Sequence, residues 1–350
     1  MFDLKWWGSD EIPWKDKKIT VDFPHVIVTQ QFSVEQLNRL FLLTKVLKNE
    51  VKKGTKKDWL HGRILADLFY EPSTRTRFSF ETAALRLGAD YIFSENASQF
   101  SSAIKGETLE DTIRIIADKA DIIVLRHKED DSAIRASRER FNLGVPVING
   151  GSGIFQHPTQ ALLDVFTIQE HFGKVNGLKV AMVGDLKNGR TVKSLAYLLS
   201  KYKGVEIIFV APKMVQMSSD ITDHLTERKI KWSKEDDLLK VATIADVIYM
   251  TRYQLERAAS LEEKEALKKA SELHIMNRNV ANSMRESSII MHPLPRVEEI
   301  RWSVDSNPRA KYFEQARNGN FIRMALLLAI LNSSKAEELI NEEKEMKKAV

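Results

Sequence analysis

Short apolar runs alternate along the chain with stretches whose apolar residues recur at helical spacing. The runs that predict strands are Ile64–Tyr70, Tyr91–Phe93, Ile122–Leu125, Val145–Ile148, Val180–Val183, Val205–Val210, Val247–Met250, Leu273–Met276 and Ile289–Met291. The stretches that predict helices are Ser33–Lys48, Thr76–Leu87, Leu109–Asp118, Thr159–His171, Thr191–Lys201 and Leu261–Ser271. Alternating strands and helices predict parallel sheets covered by helices on both faces. Because nine strands are too many for one compact domain, we expect an α/β fold of two doubly wound parallel-sheet domains joined by interdomain helices.

The boundary between these domains is predicted just after Ile148. There the segment Asn149–Gly153 interrupts the pattern, and a helix from Thr159 restarts it. We therefore expect a first domain of residues 1–157 and a second of residues 158–311. The apolar helix Tyr312–Leu331 must be buried, so residues 312–350 are expected to complete the first domain. The charged tail Lys335–Val350 predicts a solvated surface helix.

Composition narrows the class of protein. The chain has 350 residues, 43% hydrophobic and 29% charged, which is typical of a soluble globular protein. Its net charge of +5 is too small to indicate nucleic-acid binding, although it is compatible with a basic pocket for a small anion. The absence of cysteine excludes disulfides, thiol nucleophiles and Cys-ligated metals. With no long apolar run and no secretory-signal pattern at the N-terminus, we expect a cytoplasmic protein without membrane contact.

The first candidate site is the segment Glu-Pro-Ser-Thr-Arg-Thr-Arg at residues 71–77, which follows an apolar strand and opens a predicted helix. A helix start presents unpaired backbone N–H groups and the positive end of the helix dipole. Three hydroxyls and the guanidiniums of Arg75 and Arg77 are added here, and guanidiniums bind phosphate oxygens in pairs. An ordinary helix cap with surface arginines is the alternative, but this density of groups favours a phosphate site.

Three further segments of the first half carry polar groups. In the small-residue loop Ser101–Thr108, Lys105 could contact a phosphate, although such a lysine is more often simply solvated. Arg126 follows a predicted strand, at the edge where parallel sheets bind ligands, and can polarise a carbonyl oxygen. His157 and Gln160 are three residues apart at a helix start and so face the same way. Capping is their alternative role, and the sequence shows no further ligands at the spacing that a metal site needs.

Two loops of the second half follow predicted strands and carry arginines. The segment Gly184–Thr191 lacks the glycine spacing of a dinucleotide-binding turn, so we interpret Arg190 as a ligand of a carboxylate or a phosphate. Arg252 and Gln254 alternate in an extended loop, so both can face one cleft. Arg257 is expected to pair with an acid that orders this loop.

The last candidate is the turn His-Pro-Leu-Pro-Arg at residues 292–296, where two prolines fix the backbone and leave the carbonyl of Leu294 as an acceptor. A rigid turn without chemistry is the alternative. All these segments follow predicted strands, and together they offer cations and hydroxyls but no thiol and no metal cluster. The sequence therefore predicts a site for two small anionic ligands.

Taken together, the motifs resemble the aspartate/ornithine carbamoyltransferases and, within that family, the catalytic chain of the aspartate branch. The matching segments occur in the family's order and are Ser73–Arg77, His157–Gln160, Gly184–Lys187, Gly189–Thr191, Thr251–Arg257 and His292–Arg296. The resemblance covers about residues 18–331. Lys193 departs from it where the family usually has His, and Ser152 where the family often has Asp. The resemblance implies no cofactor and no metal.

The resemblance also implies a role for each matching residue. Carbamoyl phosphate would be bound in the first domain by Ser73, Thr74, Arg75, Thr76, Ser101, Lys105, Arg126, His157 and Gln160, and by the backbone of Leu294 and Pro295. Aspartate would be bound in the second domain by Arg190, Arg252 and Gln254, together with Lys105. The catalytic residues would be Arg75, Thr76, Lys105, Arg126 and His157. Ser101 and Lys105 would come from the neighbouring subunit of a homotrimer, and association with a regulatory chain stays open.

The implied reaction transfers the carbamoyl group of carbamoyl phosphate to L-aspartate, giving N-carbamoyl-L-aspartate and phosphate in pyrimidine biosynthesis. Ornithine carbamoyltransferase is the nearest alternative, but its usual signature has Cys in place of Pro293, and this chain has none. Ornithine also carries a cation where aspartate carries a carboxylate, which Arg252 and Gln254 suit better. A transferase for another amino acid and an inactive ligand-binding paralogue are the remaining alternatives.

Overall fold

The computed structural model describes residues 10–14, 17–21, 24–54, 57–95 and 106–348. Its strands are β1 Asp10–Trp14, β2 Lys17–Val21, β3 Ile64–Phe69, β4 Asp90–Glu95, β5 Ile122–His127, β6 Val147–Ser152, β7 Lys179–Val183, β8 Glu206–Val210, β9 Lys231–Glu235, β10 Val247–Met250 and β11 Ile289–Met291. Its α-helices are α1 Val34–Lys52, α2 Thr74–Leu87, α3 Leu109–Ala117, α4 Ser132–Ala136, α5 Glu139–Asn142, α6 Pro158–Phe172, α7 Arg190–Leu199, α8 Ser219–Glu227, α9 Leu238–Ala242, α10 Leu261–Ser271, α11 Arg278–Ser283, α12 Tyr312–Leu331 and α13 Ser333–Lys348.

The first compact unit comprises residues 1–162 and 319–350. Its four-stranded parallel sheet has the order β4–β3–β5–β6. The strands β3, β5 and β6 are almost entirely buried, as expected for a parallel sheet covered on both faces. Ile27, Ala66, Ile113 and Ile123 belong to the apolar core on one of these faces. Because β3, β5 and β6 are neighbours, the segments that follow them begin at one edge of the sheet.

The second unit comprises residues 163–318. Its five-stranded parallel sheet has the order β11–β10–β7–β8–β9. Val183, Ile208, Ile248 and Ile290 lie in a core cluster with helix residues that include Val280. The three neighbouring strands β7, β10 and β11 precede the three motifs of this half, so these motifs also share one sheet edge.

Polar residues cap several of the helices. Ser33, Thr108 and Ser260 precede α1, α3 and α10, and each side chain accepts a hydrogen bond from the backbone N–H three residues on. Such caps satisfy donors that a helix start leaves unpaired. Among the described residues, no helix combines the length and the apolar character needed to cross a membrane.

The expectation of two doubly wound α/β domains is confirmed. The strand predicted at Leu273–Met276 is wrong, because Glu272–His274 forms a short 3-10 helix in which Leu273 is 76% exposed. The pattern also missed β9, an edge strand with the sequence Lys-Trp-Ser-Lys-Glu. An edge strand in contact with solvent does not need a continuous apolar run, which is the feature that identified the other strands of the two parallel sheets.

The division between the two units falls inside α6 and α12, so each of these helices supplies residues to both units. The charged C-terminal helix α13 is less solvated than its composition predicts. Ala336, Leu339 and Ile340 are buried, and Glu337 pairs with Arg39 of α1. One face of α13 thus packs within the first unit.

Candidate active site

The turn between β3 and α2 has the features of an anion site. The first turn of α2 contains no acidic residue, and no described side chain, that of Ser73 included, caps its N-terminus. The first N–H groups and the positive end of the dipole of this 14-residue helix are therefore left for a ligand. Arg75 is exposed, and its side chain forms no hydrogen bond or ion pair with any residue that the structure describes.

Arg77, the second arginine of this motif, is engaged within the unit. Its Nε lies 3.4 Å from Glu81 Oε1, and its guanidinium lies over the rings of Phe78 and Phe93, at 5.1 Å and 5.0 Å from the ring centroids. Of the two arginines, Arg75 is therefore the better candidate for a phosphate ligand.

Arg126 stands near the carboxyl end of β5. Its Nη1 donates a hydrogen bond to the Gly150 carbonyl at 3.1 Å, and its Nη2 lies 3.7 Å from Glu71 Oε2. Glu71 is the first residue of the β3–α2 motif, so this ion pair holds the guanidinium of Arg126 beside the β3–α2 turn. Arg126 was predicted from the sequence as a candidate ligand, whereas this role of Glu71 was not.

His157 lies directly before α6 and is buried between two threonines. Its Nε2 is 3.5 Å from Thr76 Oγ1, and its Nδ1 is 3.5 Å from Thr159 Oγ1, both at the long end of hydrogen-bonding distance. Arg323 Nη2 donates to Thr159 Oγ1 at 3.4 Å. Since a guanidinium can only donate, the hydroxyl hydrogen of Thr159 is left for His157 Nδ1. This arrangement favours the imidazole that carries its hydrogen on Nε2, the atom that faces Thr76.

In the second unit, the loops after β7 and β10 approach each other closely at Gly184. A Cβ on this glycine, whose φ is +118°, would lie 2.3 Å from the carbonyl oxygen of Thr251. Only glycine permits this approach. The buried Asp185 then joins the loops, because its carboxylate accepts hydrogen bonds from the backbone N–H groups of Asn188 and Gln254, at 3.0 Å and 3.3 Å. Arg190 begins α7, whose first turn also lacks an acidic residue.

The loop after β10 presents Arg252 and Gln254 on its less buried side. Both terminal guanidinium nitrogens of Arg252 donate to the carboxylate of Glu256, and the Nη1–Oε2 distance is 3.0 Å. These bonds, the largest influence on each group, raise the pKa of Arg252 and lower the pKa of Glu256. The expectation that Arg257 pairs with an acid is wrong. Arg257 Nε donates to the side-chain oxygen of Gln254 at 3.0 Å, because the neighbouring acid, Glu256, is engaged by Arg252.

The turn after β11 is held by a buried His–Glu pair. Leu294 has a φ of +53°, a conformation that an L-residue adopts when its surroundings impose it. Its N–H donates to His292 Nδ1 at 2.7 Å, so the hydrogen of this imidazole is on Nε2, which donates to Glu299 Oε1 at 2.7 Å. Burial, the largest single influence, raises the pKa of Glu299, but hydrogen bonds from His292 and from backbone N–H groups together leave this pKa below its usual value.

The structure distributes the predicted residues over the two sheet edges. In the first unit, the predicted residues lie after β3, near the end of β5 and after β6. They are Ser73, Thr74, Arg75 and Thr76, then Arg126, and then His157 and Gln160. In the second unit, the segments after β7, β10 and β11 carry Arg190, Arg252, Gln254, Leu294 and Pro295. Ser101 and Lys105 lie outside the described residues. Sequence reasoning missed the supporting residues Glu71, Thr159, Asp185 and Glu299, although each lies in or beside a motif.

Comparison with known proteins gives two family matches that together span most of the chain. Residues 24–170 match the family described as aspartate/ornithine carbamoyltransferase, carbamoyl-P binding domain. Residues 176–330 match the family described as aspartate/ornithine carbamoyltransferase, Asp/Orn binding domain. The chain belongs to the aspartate/ornithine carbamoyltransferases.

Similar members of this family are aspartate carbamoyltransferases, and the chain is a carbamoyltransferase of the same branch. Aspartate carbamoyltransferase 3 of Pisum sativum is 50% identical over 306 residues, which cover 87% of this chain and 77% of that protein. The catalytic subunit of Methanocaldococcus jannaschii aspartate transcarbamoylase has a solved structure with 42% identity and a TM-score of 0.81, covering 89% of this chain and 99% of that one. The Trypanosoma cruzi aspartate transcarbamoylase, solved in complex with carbamoyl phosphate and aspartate, has 35% identity and a TM-score of 0.80. The match covers 87% of this chain and 95% of that one.

The expectation of a cytoplasmic protein is contradicted by the same comparison. The aspartate carbamoyltransferases of Pisum sativum, Arabidopsis thaliana and Oryza sativa, which are 48% to 50% identical to this chain, are chloroplastic proteins. Composition and the absence of a secretory signal do not distinguish the cytoplasm from an organelle, which is why that inference failed.

Proposed function

We propose that the first unit binds carbamoyl phosphate through the sheet edge that carries α2. Ser73, Thr74, Arg75 and the start of α2 bind the phosphate, since this helix start is uncapped and Arg75 has no partner among the described residues. Thr76, Arg126 and His157 polarise the carbonyl oxygen, and Gln160 binds the amino group. The contact between Thr76 and His157 and the Glu71–Arg126 ion pair support this assignment, because they gather the donors beside one turn.

The second unit is proposed to bind L-aspartate through Arg190, Arg252 and Gln254. The dicarboxylate needs two groups of cationic or amide donors, and the loops after β7 and β10 supply them side by side through Asp185. In the present structure Glu256 supplies a carboxylate to Arg252, as a substrate carboxylate would. The backbone of Leu294 and Pro295 is proposed to accept hydrogen bonds from the amino groups of the reactants.

The proposed chemistry is a direct transfer. The neutral amine of aspartate attacks the carbonyl carbon, a C–N bond forms, and the C–O bond to phosphate breaks. The phosphate leaves with the electron pair of that bond and accepts the proton released by the amine, so no covalent enzyme intermediate is required. Catalysis then comes from positioning and from stabilisation of charge on the carbonyl oxygen and the phosphate. The family implies a place in pyrimidine biosynthesis.

The choice between aspartate and ornithine is tested by supplying carbamoyl phosphate with each amino acid in turn. We expect carbamoyl-aspartate to form and carbamoyl-ornithine to remain undetected, because Arg252 would repel the cationic side chain of ornithine. Carbamoylation of ornithine at a comparable rate would reject the assignment of Arg190 and Arg252, and carbamoylation of neither would leave the alternative of an inactive ligand-binding paralogue.

A homotrimer with shared active sites is also proposed, with Ser101 and Lys105 reaching the neighbouring subunit's site. Two variants test it, Arg75→Ala and Lys105→Ala, each expected to be nearly inactive alone. Dissociating and reassembling a mixture of the two should restore activity, because some interfaces then combine an intact Arg75 with an intact Lys105 from the neighbouring chain. The control is the same treatment of each variant by itself. No recovery in verified mixed trimers would show that Lys105 acts within its own chain.

A further inference from the structure

The loop after β10 alternates between buried and partly exposed side chains. Thr251 and Tyr253 are buried, whereas Arg252 and Gln254 are partly exposed. In an extended backbone this alternation places the two pairs on opposite sides. The position of the two proposed aspartate ligands therefore depends on how firmly the residue between them, Tyr253, is held.

A hydrogen bond to His274, which is itself held by a second hydrogen bond, fixes the hydroxyl of Tyr253. Its hydroxyl lies 2.7 Å from His274 Nδ1, and His274 Nε2 lies 2.9 Å from the carbonyl oxygen of Asp236. Because a carbonyl only accepts, Nε2 carries the hydrogen, so Nδ1 of the neutral ring accepts from the Tyr253 hydroxyl. Burial lowers the pKa of His274 and raises the pKa of Tyr253, which keeps both groups in these neutral forms.

The ring of Tyr253 also connects this loop with the loop after β7. Tyr253 shares an apolar cluster with Val215. The carbonyl oxygen of Val215 in turn accepts hydrogen bonds from the backbone N–H groups of Leu186 and Lys187, both at 3.0 Å. Movement of Tyr253 would therefore disturb the support of both loops that carry proposed aspartate ligands.

We propose that Tyr253 and His274 are positioning residues that set the affinity for the dicarboxylate substrate by fixing the loop that carries Arg252 and Gln254. The inference rests on the proposed assignment of those two residues to aspartate. Tyr253 is 8% exposed and His274 is 2% exposed, so neither needs to contact the substrate. Without the Tyr253–His274 bond the loop samples other conformations, and reordering it lowers the affinity for aspartate.

The test is a double-mutant cycle on the steady-state kinetics. Tyr253→Phe removes the hydroxyl and keeps the ring in its apolar cluster. We expect the KM for aspartate to rise about tenfold. The KM for carbamoyl phosphate should stay within about twofold, because the first unit is unchanged. His274→Phe should have a similar effect, and the double variant should add little to either single change, because both remove the same bond.

Tyr249→Phe is the matched control. Tyr249 is fully buried in the same unit, and its hydroxyl donates to Asp164 Oδ2 at 2.8 Å. This substitution removes a bond of comparable length outside the aspartate loop. It should lower the thermal unfolding midpoint about as much as Tyr253→Phe and leave the KM for aspartate unchanged.

The outcomes separate this inference from the proposed function. If the wild-type protein does not carbamoylate aspartate, the proposed function and this inference fail together. If it does, the inference alone is overturned when the KM for aspartate in Tyr253→Phe equals that in Tyr249→Phe, when both substrates' KM values rise in parallel, or when the two single effects add. Should Tyr253→Phe unfold below the assay temperature, His274→Phe carries the same comparison.

Discussion

Replacing Arg75 with alanine should abolish most turnover while leaving the stability of the fold unchanged. In the described structure the Arg75 side chain is exposed and has no hydrogen-bond or ion-pair partner, so its removal breaks no contact that holds the first unit together. Surface substitutions of this kind change the free energy of unfolding by no more than about 0.5 kcal/mol. The substitution should therefore affect substrate binding and turnover and not the stability of the protein.

The size of the kinetic effect follows from the contact that Arg75 is proposed to make. A hydrogen bond to a charged group contributes about 1.5–3 kcal/mol. A guanidinium bound to phosphate through two nitrogens makes two such bonds, or about 3–6 kcal/mol together. At about 1.36 kcal/mol for each factor of ten in rate, the expected fall in kcat/KM for carbamoyl phosphate is on the order of 10² to 10⁴.

The assay measures formation of carbamoyl-aspartate at varied carbamoyl phosphate and saturating aspartate, and thermal unfolding is recorded on the same samples. Arg86→Ala is the control, because Arg86 is an exposed arginine in the last turn of the same helix, at the opposite end from the β3–α2 turn. It should turn over like the wild type. If Arg75→Ala kept kcat/KM within about threefold of the Arg86→Ala value, Arg75 would not be a phosphate ligand.

Two further substitutions test the second unit and the core. Arg252→Ala should raise the KM for aspartate about 10²-fold and leave the KM for carbamoyl phosphate unchanged, because a charged contact with only one substrate is lost. Equal changes in both KM values would instead indicate that Arg252 has a role in folding. Asp67 is fully buried in β3, no described residue hydrogen-bonds its carboxylate, and burial, reinforced by Glu81, raises its pKa well above the usual 3.8. Because the folded state then prefers the protonated carboxyl, the free energy of unfolding of the wild type should fall relative to that of Asp67→Asn as pH rises above about 4. Urea unfolding of both proteins from about pH 5 to 8.5 measures this difference. A difference that does not change with pH would contradict the prediction.

The sheets could be predicted because their strands are buried on both faces. A continuous apolar run such as Val247–Met250 has few other places in a folded protein, and its predicted bounds match the structure. The edge strand Lys231–Glu235 could not be found in this way, because all of its residues are at least partly exposed and it contains no apolar run. The run Leu273–Met276 shows the converse error, since a short apolar segment can also end a helix and expose its leucine.

The candidate ligands could be predicted because they stand directly after strands, and parallel strands bring such positions to one edge. The residues that hold these ligands in position could not be predicted. The pairing of Arg252 with Glu256 depends on the conformation of one loop, and the pairing of Tyr253 with His274 depends on how two separate segments of the second unit meet. His274 is 21 residues from Tyr253, and its role is visible only when the orientation of its ring nitrogens is known.

The starts of the helices show which parts of the chain are shaped for ligands. The helices α1, α3 and α10 have a Ser or Thr cap, and each has acidic residues in its first turn. The helices α2 and α7, which begin directly after the candidate motifs that follow β3 and β7, have neither feature among the described residues, and each carries an arginine in its first turn. A cation near the positive end of a helix dipole is unfavourable for the free protein. Such a departure from the local rule is expected where an anion is to be bound, because the ligand then satisfies the N–H groups, the dipole and the arginine together.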